Sequence, residues 1–157
     1  MVARAPRRAP RIDRAVGVAL PEGCGYPRPM VQGFHHLAIQ CADLERCERF
    51  YRDLVGLTVA RRWPAGDGRD RSVWLTVGDG FLALERAGQP PRAEPWSSPQ
   101  AGLHLVALRI APQARAAVEA KLAAGGVEVI HRTRFTLYVR DPEGNRVGFS
   151  SYPEEAP

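Results

Sequence analysis

Apolar residues recur along this chain in two rhythms, every second position in short runs and every third or fourth in longer ones, and the switches between them mark out elements. His35 to Cys41 reads as a buried strand. Asp43 then offers an N-cap side chain to a helix running to about Val55. Its residues Leu44, Cys47, Tyr51 and Leu54 fall at i, i+3, i+7 and i+10, one stripe facing a sheet. Gly56 ends the helix as a C-cap would. Strands are predicted over Thr58 to Trp63, Ser72 to Val77 and Phe81 to Arg86, with Gly78-Asp79-Gly80 as the tight turn between the last two.

The same series then recurs. Gly33 to Val59 lies over Gly102 to Glu128 at a constant offset of 69, so that Ala42 meets Ala111 and Gly56 meets Gly125 without a gap. After a Pro-rich loop, Ala87 to Gln100, the second series predicts a strand over Leu103 to Ile110 and a helix that Pro112 opens and Gly125-Gly126 closes. Strands over Val127 to His131, Arg134 to Arg140 and Asn145 to Ser150 complete it. Each series is a βαβββ module. At 157 residues the chain is too short for two independent domains of ordinary size. The expected fold is therefore α+β: two βαβββ modules (33–86 and 102–152) paired in one domain, residues 31–153, around a cleft suited to a small ligand.

Residues 1–30 have no such pattern. They are rich in Arg, Pro and Ala, a composition that buries too little apolar surface to offset ordering entropy, and they read as a disordered arm. Met30 stands just before the first patterned strand and is a candidate start of translation. The arm also explains the charge: six of its residues are Arg against Asp13 and Glu22, which accounts for +4 of the formal +5. The basic excess is a property of the arm, and aromatics do not interleave with it, which argues against nucleic acid. Arg7-Arg8 suggests an export signal, but Arg11, Asp13 and Arg14 break what should be an apolar run. Apolar runs stay well below the roughly 20 residues of a membrane span. Three cysteines, Cys24, Cys41 and Cys47, form neither a CxxC nor an even disulfide set, so a reducing cytoplasm is the expected setting.

The residues His36-Leu37-Ala38-Ile39, Asp43-Leu44-Glu45, Phe50-Tyr51-Arg52-Asp53, Gly56-Leu57 and the closing Asp141-Pro142-Glu143-Gly144-Asn145-Arg146 together resemble the vicinal oxygen chelate superfamily. That group includes glyoxalase I, fosfomycin-resistance transferases, extradiol dioxygenases and bleomycin-resistance proteins. The resemblance covers about Gln32 to Pro153. It implies a small-molecule ligand, a possible homodimer, and either no cofactor or one divalent ion (Mn, Fe, Ni or Zn), because the fold hosts several chemistries.

In metal-using members the ligands, typically His, His and Glu, stand on the first and last strands of the modules and leave positions open for two substrate oxygens. His36 matches the first position; the plainer reading is a hydrogen-bonded strand histidine. His104 is the nearest candidate for the second, but the offset sets it opposite His35, and strand alternation turns it from the cleft unless a bulge intervenes. At the third position, after Val147, this chain has Gly148 and no carboxylate. Glu85 is a candidate for the additional Glu of the glyoxalase branch, against a solvated strand-end carboxylate. Two readings stay open: a binding protein of bleomycin-resistance type with a degraded metal site, or a divalent-metal-dependent lyase or dioxygenase using His36, Glu85 and His104.

Other cleft candidates are Thr136 and Tyr138, which share a face of the penultimate strand, and Ser150, which shares the Gly148 face of the last. Tyr138 is the candidate catalytic acid, although a phenol of pKa about 10 needs help near neutrality. Gly148 leaves room for substrate bulk, with Trp74 and Phe81 as an apolar wall. Asp141-Pro142-Glu143-Gly144 has the residues of a type I turn and reads as architecture. No phosphate loop, zinc-finger spacing or nucleophile elbow is present.

Overall fold

The structure is a computed structural model, which describes residues 31, 33–90 and 101–154. The expected arm and the loop residues 91–100 lie outside the described residues. Phe34–Pro157 forms one compact unit, and within it the α+β architecture of two βαβββ modules stands as the pattern predicts. The first module contains β1 (His36–Cys41), α1 (Leu44–Arg49), β2 (Thr58–Pro64), β3 (Asp70–Val77) and β4 (Gly80–Arg86). The second contains β5 (Val106–Arg109), α2 (Arg115–Ala124), β6 (His131–Arg132), β7 (Thr136–Arg140) and β8 (Arg146–Ser150). The sheets are ordered β1-β4-β3-β2 and β5-β8-β7-β6, with the parallel pair at the β1–β4 and β5–β8 edge.

Local chemistry sets the helix ends. The Asp43 carboxylate accepts the Arg46 N–H at 2.9 Å as an N-cap. Gly56, at φ 93°, closes the far end in the left-handed region that a residue with Cβ avoids. Between them the helix widens from α to π over Phe50–Val55, which lets the adjacent rings of Phe50 and Tyr51 both turn inward. In the second module Pro112 opens a short 3-10 turn ahead of α2.

One contiguous core lies between the helices and one face of each sheet. In the first sheet that face carries Ile39, Cys41, Val73, Leu75, Leu82 and Leu84; in the second, Leu108, Leu137, Val139, Val147 and Phe149. Each fully buried Leu or Val contributes about 1.5–3 kcal/mol by leaving water. Buried Glu48 ties α1 to the first sheet, held by Arg52 and, at 2.6 Å, by Arg62, which also reaches Asp70 at 2.7 Å.

The modules are joined through the Asp-Pro-Glu-Gly turn. Asp141 Oδ2 accepts the Tyr51 hydroxyl at 2.9 Å, and Glu143 Oε1 accepts the Asp43 N–H at 2.9 Å and the Cys47 thiol at 3.5 Å. Asp141 Oδ1 accepts the N–H groups of Glu143 and Asn145. The turn is architectural, as its residue types predict.

Two strands are shorter than their patterns. Leu103 is 76% exposed, and β5 begins only at Val106. The run from Val127 is not strand until His131, leaving a two-residue edge strand that pairs only with β7. Apolar alternation there reflects packing onto the core from a connection, as Val127 and Val129 do, without a ladder partner on the outer side.

Candidate functional site

Strand alternation gives each sheet a second, open face, and the register says what stands on it. Across the first sheet His36 pairs with Phe81, Ala38 with Ala83 and Gln40 with Glu85; Ala83 pairs with Trp74, and Trp74 with Arg61. Across the second, Ala107 pairs with Gly148, Gly148 with Tyr138, and Tyr138 with His131. Since Ala38 and Ala107 are 69 apart, Ala83 and Gly148 hold equivalent places, as do Trp74 and Tyr138. In both modules a small residue pairs across the sheet with an aromatic one.

The first open face is aromatic. The Trp74 ring stacks on His36 with centroids 5.2 Å apart and planes at 25°, and contacts Phe81 at 5.7 Å and Trp63 at 6.1 Å. The Arg61 guanidinium sits 3.8 Å over the Trp63 ring. The Trp74 indole N–H donates to Ser72 Oγ at 3.1 Å, whereas the buried Trp63 N–H has no acceptor among the described residues. His35 and His36 meet Nδ1 to Nδ1 at 2.7 Å, so one of the two nitrogens donates and the other accepts.

The second open face is basic and hydroxylic. Arg109, Arg140 and Arg146 stand on it with Thr136 and Ser150, whose hydroxyls bond each other at 2.9 Å. The Tyr138 ring lies 5.5 Å from that of His131. A Cβ built on Gly148 would stand 3.2 Å from Thr136 Cγ2 and 3.6 Å from Tyr138 Cδ1 and Cε1. The space at Gly148 is thus bordered by Thr136, tightly, and by the Tyr138 ring at ordinary contact distance, a cross-strand aromatic beside a glycine.

His104 precedes β5, so strand alternation does not reach it. It needs no bulge to approach the open face, and the β5–β8 register contains none. Its Nδ1 lies 2.9 Å from Arg146 Nη1 and, facing a guanidinium that cannot lose its proton, is the acceptor. Glu85 is exposed on the His36 face but four residues along the sheet, about 13 Å away at the strand rise. His36, Glu85 and His104 are therefore not brought together. Ala83, two residues before Glu85, holds the position equivalent to Gly148.

The arrangement of Arg61, Trp63 and His131 was not among the sequence candidates, because it depends on which residues β2 and β6 set beside Trp74 and Tyr138. Arg132, beside His131 on β6, is paired with Glu119 at 2.6 Å.

The sequence family model that matches residues 33–149 is that of the Glyoxalase/Bleomycin resistance protein/Dioxygenase superfamily. The chain belongs to this superfamily. Glutathione transferase FosA from Serratia marcescens is 25% identical over 125 residues, covering 75% of this chain and 79% of that protein. Among solved structures, a glyoxalase/dioxygenase from Nostoc punctiforme matches with TM-score 0.67 and 20% identity, over 78% of this chain and 92% of that one. A variant of the fosfomycin resistance protein FosX from Listeria monocytogenes, complexed with Mn(II) and a dihydroxypropylphosphonic acid, matches with TM-score 0.63 and 12% identity, over 78% and 94%. These structural likenesses show the superfamily fold.

A divalent ion of the kind held by that FosX does not fit the donors of this chain. Within the strand register His36 is a donor, while the places that pair with Ala38 and Ala107 hold Ala83 and Gly148 and supply no carboxylate; His104 stands ahead of β5, outside that register. Among the described residues no three His, Cys, Asp or Glu side chains gather to hold an ion.

Proposed function

We propose that this superfamily member binds a small aromatic molecule in the cleft between its modules, as bleomycin-resistance proteins do, with chemistry that needs no metal at His36. The observation that carries this reading is the Trp74 plate, packed by His36, Phe81 and Trp63 and half open to solvent. Such a cluster offers a flat apolar surface whose stacking is worth about 0.5–1.5 kcal/mol per ring pair beyond burial. The Trp63 N–H, buried without an acceptor among the described residues, offers a donor for a ligand oxygen. Thr136, Ser150 and Tyr138, with Gly148 across from it, form the polar counterpart on the second sheet, where Tyr138 is the group able to donate a proton. A cytoplasmic setting suits the two buried free thiols, Cys41 and Cys47. Pairing of two copies, each sheet facing the other module of its partner, belongs to the same reading.

The test is a titration of the full chain with catechols, thiol adducts and flat aromatic antibiotics, followed by tryptophan fluorescence and thermal shift. Binding that Trp74→Ala weakens by about tenfold or more, a loss of roughly 1.4 kcal/mol, is expected. The rival reading is a divalent-metal-dependent lyase or dioxygenase using His36, Glu85 and His104. About one retained ion per chain, lost in His36→Ala, would establish the rival and overturn the proposal.

A further inference from the structure

A concavity lies apart from the aromatic face, with Arg140 of β7 at its border. It is a groove of about 620 Å³ between the helix 44–55 and the connection from α2 to β6, bordered by the start of the Asp141 turn. Its floor is apolar, from Phe50, Leu54, Val127 and Ile130, and its rim carries Arg46 and Arg49 from the first helix. Both Arg side chains are exposed, and neither is hydrogen-bonded to a described residue.

Neither Arg is hydrogen-bonded to an acidic group of the lining, although Arg49 acts on Asp53 at longer range. Asp53 is held by its neighbour Arg52 through both oxygens, at 2.6 and 2.8 Å. Asp141 is engaged by Tyr51, Asn145 and the turn N–H groups. Glu128 is the remaining carboxylate on the lining. Gly125 and Gly126 add no side chain to the groove, and a Cβ at Gly125 would stand 2.6 Å from Leu54 Cδ1, so that wall admits nothing larger.

We infer that this groove is a ligand site for a small amphipathic anion, an alkyl chain ending in a carboxylate or a phosphate. The apolar floor takes the chain, and Arg46 and Arg49 take the head through charge-assisted hydrogen bonds. A volume of this size is ordinary for a small-molecule site. The site is independent of the aromatic face.

The full chain, uniformly labelled with ¹⁵N, is titrated in separate arms with decanoate, decyl phosphate and decanol while backbone amide shifts are followed. Saturable shifts at Arg49, Asp53, Leu54 and Val127 are expected with at least one of the anions, and the preferred head group is read from the two arms. Arg46→Gln/Arg49→Gln should weaken that binding by about tenfold or more, while Trp74→Ala leaves it unchanged. Equal binding of decanol, an unaltered affinity in the double variant, shifts confined to the Trp74 face, or no shifts with either anion would each overturn the inference.

Discussion

The two sheets of this molecule share a strand order, a register and a device, yet their open faces differ in chemistry. On one, Trp74 stands across from Ala83 amid His36, Phe81 and Trp63; on the other, Tyr138 stands across from Gly148 amid Arg109, Arg146 and two bonded hydroxyls. Repetition persists on the faces that meet the helices, where volume and apolarity leave few alternatives. Divergence collects on the faces that meet solvent or ligand. A duplicated fold thus separates what holds it together from what it touches.

The largest effect should come from cutting the joint between the halves. Asp141→Ala leaves the buried Tyr51 hydroxyl and the turn N–H groups without their acceptor, and should cost about 3 kcal/mol or more in chemical denaturation. A cost below about 1 kcal/mol would mean that the turn does not join the modules.

Next is the Gly148 position. Gly148→Glu drives a side chain into Thr136 and the Tyr138 ring and should destabilise by about 1–3 kcal/mol. Adding Tyr138→Ala should recover much of that loss. If the single variant is as stable as the parent, Tyr138 does not occupy the space.

A smaller signature is alkaline. Burial, followed by the Asp141 charge and its hydrogen bond, holds the Tyr51 hydroxyl well above its ordinary value of about 10. The folded state thus favours the neutral phenol. Its contribution is present in full below about pH 10 and is lost as pH rises from there through the folded value. Stability measured from pH 8 to 11 should fall in the parent and show a shallower slope in Tyr51→Phe. A hydrogen bond to Cys41, followed by burial, raises the Cys47 thiol as well, so thiol reagents should label Cys47 of the folded chain slowly.

The least effect belongs to the exposed pair of Arg132 and Glu119. Arg132→Gln should change stability by no more than about 0.5 kcal/mol.

Most of the fold was legible because hydrophobic period survives duplication. The 69-residue offset located both helices, their glycine ends and the order of strands. Strand ends were less legible: Leu103 and Val127 are apolar, but one is exposed and the other packs from a connection, a difference that composition does not carry. The candidate site was legible in its residue types and not in its distances. Glu85 looks like a ligand on the chain, yet parallel pairing to β1 sets it opposite Gln40, and that register depends on turn geometry far from Glu85 itself. Gly148 was visible as a missing carboxylate, while its pairing with Tyr138 required knowing which residue of β7 lies across from it. His104 was judged by an alternation rule that holds only inside a strand, and the strand starts two residues later.

The ring beside Gly148 also constrains what can stand at that position. A side chain introduced there would stand against Thr136 Cγ2 and the Tyr138 ring, so how far it reaches depends on whether those two give way. Positions 148 and 138 thus act as a pair, and a longer side chain at 148 is a change to be judged together with the residue across from it on β7.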